Sequence, residues 1–140
     1  MSIFTNLFVP KVQERPSRKE TILLTGGLKF ALEIAATDRY QITLAALGGP
    51  RVSRGVNRFE IAQLILEDQN PRNPNAVRIV IRGKQVGYLR PEDALSYRQQ
   101  LFARGKPHAD GQCQAAIRGG WVSSDGRTGD YEVWLDLPAW

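Results

Sequence analysis

A short loop of asparagine, proline and arginine is the part of this sequence whose residue types and spacing suggest a site. It includes Asn70-Pro-Arg-Asn-Pro-Asn, with two Asn-Pro pairs within five residues. Proline holds its own φ near one value and restricts the residue before it, so the pattern predicts a rigid, irregular loop over residues 68–75, here called the Asn-Pro loop. From it Asn70, Arg72 and Asn73 would present amide and guanidinium groups that can contact phosphates and hydroxyls.

A second interpretation of the same loop is structural. Asparagine beside proline commonly bonds a backbone amide and so stabilises a turn. We expect this role for Asn75, whereas both roles stay open for Asn70, Arg72 and Asn73.

Residues that could carry out catalysis are few and scattered. The only histidine, His108, lies in a loop-like segment and is expected in solvent, and the only cysteine, Cys113, is expected as a buried residue of a strand. A magnesium site built from Glu67, Asp68 and Asp93 is an alternative that their spacing does not support. We therefore expect no catalytic residues, no metal and no cofactor.

The charge balance of the chain favours a polyanionic partner. Lys and Arg total 19 against 14 Asp and Glu, which gives a formal net charge of +5. Arginine predominates, and its planar donor fork matches the geometry of phosphate. Nucleic acid is therefore a candidate partner, although charge alone does not identify it.

Composition also places the chain among globular proteins. Apolar residues make up 42% of it, and no apolar run is long enough to cross a bilayer. The first residues lack the pattern of a secretory signal. We expect a cytoplasmic protein without membrane contact.

A sheet must position the candidate residues. Alternation of apolar and polar residues predicts strands, and Gly26-Gly27 is expected to form a hairpin turn between the first two. The basic stretch 51–58 is expected to be a mobile loop. The predicted strands span residues 22–25, 29–35, 59–67, 76–82, 85–89, 112–117 and 130–137.

Two helices complete the prediction. Asp38 is expected to cap a helix over residues 39–47, and Pro91 to begin a second helix that ends near residue 103. Its packing face is expected to hold Ala94, Tyr97, Leu101 and Phe102. Six or seven strands, mostly joined by hairpins, with two helices predict a mainly β fold, either a curled antiparallel sheet or a small barrel.

Residues 67–94 resemble the core signature of the HIRAN domain family. The signature runs from the Asn-Pro loop into Ala76-Val, a strand, Val86-Gly-Tyr-Leu and a helix, in the family's order and close to its spacing. Asp38-Arg-Tyr-Gln upstream and Ile117-Arg-Gly-Gly-Trp downstream are similar to further family segments. The similarity covers residues 29–137.

This resemblance implies an OB-like β-barrel that occurs alone or fused to helicase-like remodellers and nucleases. In the remodeller type it captures the 3′ end of single-stranded DNA. We therefore expect a non-catalytic DNA-binding module for single-stranded ends or distorted DNA, with a role in repair or replication-fork processing. By position it assigns binding roles to Arg39, Tyr40, Asn70, Arg72, Asn73 and Tyr88, to which we add Arg90 for phosphate and Trp121 for stacking.

The chain departs from the family at several of these positions. Where the family loop often reads Tyr-Asp, this chain has Arg72-Asn73, a cation and a neutral amide. Without the carboxylate's repulsion, an internal or 5′ phosphate is expected to be tolerated. Ala36 stands at a family glycine, and Asp38 at a position where the remodeller type carries a cation. Tyr97, Phe102 and Trp134 are assigned to packing.

The domain prediction is one domain preceded by an arm. Residues 1–20 are expected to form an extended arm, and residues 21–140 a single domain. Apolar residues of the arm could cover a sheet edge or mediate self-association: Ile3, Phe4, Leu7, Phe8 and Val9. The alternative function is therefore a protein-interaction domain that docks on a separately encoded nuclease or helicase.

Overall fold

A computed structural model of the chain describes residues 20–140. The predictions for residues 1–19, which make up most of the arm, concern residues outside that range. Within it are a 3₁₀ helix, Thr37–Tyr40, and two α-helices, α1 (Gln41–Gly48) and α2 (Pro91–Ala103). The strands are β1 (Thr21–Leu23), β2 (Leu32–Glu33), β3 (Val56–Leu66), β4 (Val77–Ile81), β5 (Lys84–Tyr88), β6 (Asp110–Gly119) and β7 (Tyr131–Leu135).

These strands form one curled sheet in the order β2-β7-β6-β3-β4-β5, with neighbours antiparallel. β1 pairs with the beginning of β6 in parallel. Beyond β2, Ala35 meets Tyr88 at the end of β5 through two backbone hydrogen bonds, Ala35 N to Tyr88 O at 2.7 Å and Tyr88 N to Ala35 O at 3.0 Å. This pairing, here called the seam, joins the two edges of the sheet. The mainly β fold is confirmed and is consistent with an OB-like barrel.

The core is built on one face of β3 and β4. In β4 the side chains of Val77, Ile79 and Ile81 are fully buried, and in β3 those of Ala62 and Leu64 are also fully buried. Burying such side chains contributes on the order of 1.5–3 kcal/mol for each large one. β3 starts at Val56, so the expected mobile loop 51–58 was too long: its last residues pair with β6.

The expected Gly26-Gly27 hairpin was wrong. β1 pairs with β6 and β2 pairs with β7. The connection between β1 and β2 is held by Asp136, which follows β7. The Asp136 carboxylate accepts hydrogen bonds from the Thr25 hydroxyl at 2.9 Å and from Lys29 N at 3.0 Å. A Cβ at Gly26 would overlap the carbonyl oxygen of Leu137, so a close approach of backbones selects glycine there.

The first helix also begins differently from the prediction. Asp38 makes no capping bond, and Ala36, with φ 65°, precedes a 3₁₀ turn that leads into α1. Gln41 fixes this start through a distant strand: its Nε2 donates to Tyr131 O at 3.0 Å, and its Oε1 accepts from Tyr131 N at 2.8 Å. The start of α1 has no side-chain cap; Gln41 holds it through this long-range contact and through a local hydrogen bond from its Nε2 to Thr37 O at 3.0 Å.

The second helix begins at Pro91 as predicted and buries Ala94, Tyr97 and Leu101. Phe102, expected on the same face, is 75% exposed, so that assignment was wrong. Each residue turns the helix by about 100°, so Phe102 points about 100° away from the buried Leu101 that precedes it. Neither helix within residues 20–140 is long and apolar enough to cross a membrane.

Candidate nucleic-acid interface

Five of the predicted site residues line one groove of about 500 Å³ beside the seam. They are Arg39, Asn70, Arg72, Asn73 and Tyr88. The Asn-Pro loop forms one wall, the seam forms the floor, and the start of α2 closes one end. The remaining lining residues, which sequence reasoning missed, are Ala35, Ala36, Pro71, Ala76, Leu89 and Pro91. We call this hollow the Asn-Pro groove.

A β-bulge in β5 decides which way Tyr88 faces. β4 and β5 pair in regular register as far as Val80 and Gln85, and then the register shifts by one residue, so that Tyr88 pairs with Arg78. In unbroken register Tyr88 would pair with Val77, which is fully buried. Residues opposite each other share a face of the sheet, so the extra residue turns Tyr88 away from the core.

Gly87 allows the seam to close next to that tyrosine. A Cβ built on Gly87 would lie 2.5 Å from the Ala35 carbonyl oxygen and 2.9 Å from Ile34 Cδ1. Both distances are shorter than real Cβ contacts, so any larger residue would push the two edges apart. The glycine of the Val-Gly-Tyr motif is thus required by backbone packing.

The asparagines of the Asn-Pro loop shape it through their side-chain oxygens. Asn70 Oδ1 accepts hydrogen bonds from the backbone amides of Arg72 at 2.9 Å and Asn73 at 3.1 Å, and Asn73 Oδ1 accepts from the Asn75 amide at 2.9 Å. The turn-stabilising role expected for Asn75 therefore belongs to Asn70 and Asn73. The exposed Asn75 side chain makes no hydrogen bond to another residue that the structure describes.

Ion pairs anchor the loop from outside the groove. Glu67 lies 3.2 Å from Arg78 Nε and accepts a hydrogen bond from Asn70 Nδ2 at 3.0 Å. Asp68 pairs with Arg98 of α2 at 2.6 Å, and Arg98 Nη2 also donates to Ala76 O at 3.0 Å. These contacts hold the loop's carboxylates against cations on β4 and α2.

The same pairs bear on the magnesium alternative. Asp93 pairs with Arg90 at 3.3 Å, so Glu67, Asp68 and Asp93 each face a different arginine. In the described part of the chain, no three His, Cys, Asp or Glu residues are grouped so that they could hold a metal ion. The geometry gives this alternative no support.

Two arginines of the groove differ from those that anchor the loop. Arg39 and Arg72 line the groove and form no ion pair within residues 20–140, and no carboxylate lines it with them. Both residues are exposed. Their charges remain available to an anionic ligand in the groove.

Three predicted site residues lie elsewhere. Tyr40 is half-buried at the start of α1, and Arg90 is engaged by Asp93; neither lines the groove. Trp121 pairs with Val52 near the beginning of β3, whereas the Asn-Pro loop follows the end of that strand. A strand of that length separates Trp121 from the groove.

Residues assigned to packing or solvent can be checked directly. His108 is exposed, as expected. Cys113 is buried in β6, and burial raises the pKa of its thiol to about 12, so the thiol stays protonated and unreactive at neutral pH. Trp134 is half-buried, with the Arg118 guanidinium 5.6 Å from the centre of its ring.

Comparison of the chain with protein-family models, with curated proteins and with solved structures finds no match. The Asn-Pro groove itself therefore offers the features that bear on function: an outward-facing tyrosine, two arginines without an ion pair to any described residue, and a loop held by its own asparagines.

Proposed function

We propose that the chain is a non-catalytic nucleic-acid-binding module that takes the end of a single strand, with DNA favoured, into the Asn-Pro groove. One observation carries the proposal: the bulge turns Tyr88 out of the core and towards the groove that Arg39 and Arg72 line, and neither arginine forms an ion pair with a residue in the range 20–140. The similarity to the HIRAN signature supports it, because the similar residues form this groove. A role in DNA repair or at replication forks belongs to the same proposal.

The groove has the components that single-strand binding requires. An aromatic ring offers a face on which any base can stack, and cations contact the phosphates. Tyr88 and Pro71 supply flat apolar surface, and Arg39 and Arg72 supply charge. A volume of about 500 Å³ lies within the range of small-ligand pockets and suits one nucleotide.

The test is fluorescence anisotropy with labelled single strands over a series of salt concentrations. We expect affinity to fall steeply with salt, and the slope to decrease by about 0.7–1 in Arg72→Gln, because one phosphate contact is lost. Tyr88→Ala should cost ~1–3 kcal/mol of binding free energy, and Tyr88→Phe, which keeps the ring, should bind nearly as wild type.

Arg54→Gln is the matched control for Arg72→Gln. Arg54 is exposed in the turn before β3, outside the groove, and forms no ion pair with a described residue. Its loss should change the salt slope much less. Salt-independent binding, or equal effects of the two arginine variants, would contradict the proposal.

The alternative is a protein-interaction domain that self-associates or docks on a nuclease or helicase. Exposed apolar side chains on the outer face of β3 favour it, since Phe59 is 57% and Ile61 49% exposed. In that case partner binding would be lost in Phe59→Ser or on removal of residues 1–20, and would be unaffected by Tyr88→Ala. Sedimentation velocity of these three variants separates the self-association form of the alternative from strand binding.

A further inference from the structure

We propose, building on the proposed function, that the strand end held in the Asn-Pro groove is a phosphorylated one. The ligand is then a terminal phosphomonoester rather than a free hydroxyl. The inference comes from the hydrogen bonds that the groove's side chains have already made and from those that they still offer.

The side-chain acceptors of the asparagines in the groove are already used, that of Asn70 fully and that of Asn73 in part. Asn70 Oδ1 already accepts from two backbone amides, and Asn73 Oδ1 accepts from the Asn75 amide. The donors are not occupied in the same way, because Asn73 Nδ2 and the guanidinium groups of Arg39 and Arg72 make no hydrogen bond to a described residue. The Tyr88 hydroxyl can either donate or accept a hydrogen bond.

Phosphate matches such a surface better than a hydroxyl does. A phosphomonoester carries a charge of about −1.5 to −2 at pH 7, and its oxygens act mainly as acceptors. Arginine binds it through paired, charge-assisted hydrogen bonds. A hydroxyl would need an acceptor for its own proton, and of the two asparagine oxygens only Asn73 Oδ1 keeps a lone pair for one.

Repulsion is also small. Asp68 in the loop and Glu67 just before it pair with Arg98 and Arg78, and neither carboxylate lines the groove. No carboxylate lines the groove. A dianion can therefore enter without meeting a negative charge among the lining residues.

The experiment compares short single strands of one sequence with an internal fluorophore. One carries a 5′-phosphate, one a 3′-phosphate, and one has hydroxyls at both ends. We expect one phosphorylated strand to bind about tenfold tighter than the strand with two hydroxyls, the size expected for hydrogen bonds to a charged group. Which strand is preferred identifies the end.

Three variants locate the effect. Arg72→Gln should remove most of the preference for the phosphorylated end, and Arg54→Gln, outside the groove, should keep it. Asn73→Asp keeps the oxygen that binds the Asn75 amide but replaces the amide donor with a negative charge. It should shift the preference towards the hydroxyl end without unfolding the domain, which thermal denaturation checks.

The outcomes separate this inference from the proposed function. Equal affinity for all three strands, with binding still lost in Tyr88→Ala, overturns the phosphate preference and leaves strand binding intact. Binding of no strand overturns both. Tighter binding of the hydroxyl end by the wild-type protein also overturns the phosphate preference.

Discussion

Asn70 shows how a single side chain sets the shape of the groove wall. Its oxygen gathers two backbone amides of the loop, and its Nδ2 reaches Glu67 at 3.0 Å. Pro71 and Pro74, which both follow Asn70, limit the loop's dihedral angles, but they do not supply these bonds. From sequence, binding and structural roles were both open for this residue; the structure assigns its oxygen a structural one.

Asn70→Ala should destabilise the fold and loosen the groove. Two backbone amides lose their acceptor, which we expect to lower the free energy of unfolding by about 1–2 kcal/mol. Urea denaturation measures it. The matched control is Asn75→Ala, whose side chain is exposed and makes no hydrogen bond to a described residue, so its stability should stay within ~0.5 kcal/mol of wild type. Equal losses in the two variants would contradict the assigned role.

At the scale of elements, β5 and the segment after β2 work as a pair. The bulge in β5 sets the face of Tyr88, and the seam sets how closely Ala35 and Ala36 approach it. Gly87 takes part in both features, because it follows the register shift and lies against Ala35 O at the seam. The groove floor therefore depends on the backbone geometry of two short segments that are distant in sequence.

Gly87→Ala tests that dependence. Its Cβ would meet the Ala35 carbonyl oxygen at 2.5 Å, so the seam must open, and we expect a loss above ~2 kcal/mol with weakened strand binding. Gly83→Ala is the control, because Gly83 also has positive φ (75°) but has open space around its Cβ position. It should cost only about 1 kcal/mol. Chemical denaturation of both variants gives the comparison.

Two neighbouring residues of helix α2 test which face of the helix packs on the sheet. Phe102→Ser should change stability by less than ~0.5 kcal/mol, because its ring is already in water. Leu101→Ala, one residue earlier and 1% exposed, should cost about 2–5 kcal/mol. Thermal denaturation measures both; a large loss in Phe102→Ser would show that its ring packs on something in solution.

At the scale of the whole molecule, Asp136 joins the start of the described chain to its end. Burial alone would raise the pKa of this carboxyl, but hydrogen bonds from the Thr25 hydroxyl and from the backbone amides of Gly26, Lys29 and Phe30 outweigh it and lower the pKa below its ordinary value. The carboxylate thereby holds the connection between β1 and β2 against β7.

The lowered pKa predicts acid sensitivity. Because the folded pKa lies below the unfolded value of about 3.9, the carboxylate's contribution is complete above that value and is lost as pH falls through the folded pKa. Asp136→Asn should be less stable than wild type at pH 7, and the difference should shrink below pH ~4. Urea unfolding at several pH values measures this difference, and a constant difference across pH would contradict the assignment.

The sequence by itself determined the mainly β class, the start of α2 at Pro91 and the existence of an irregular Asn-Pro loop. Each follows from periodicity or from dihedral limits, which act between near neighbours. It also named five groove residues, but it grouped Tyr40, Arg90 and Trp121 with them. Only the tertiary structure decided strand partners, the register shift that turns Tyr88 outward and which arginines lack a carboxylate. These depend on residues far apart in the chain, which local patterns do not encode.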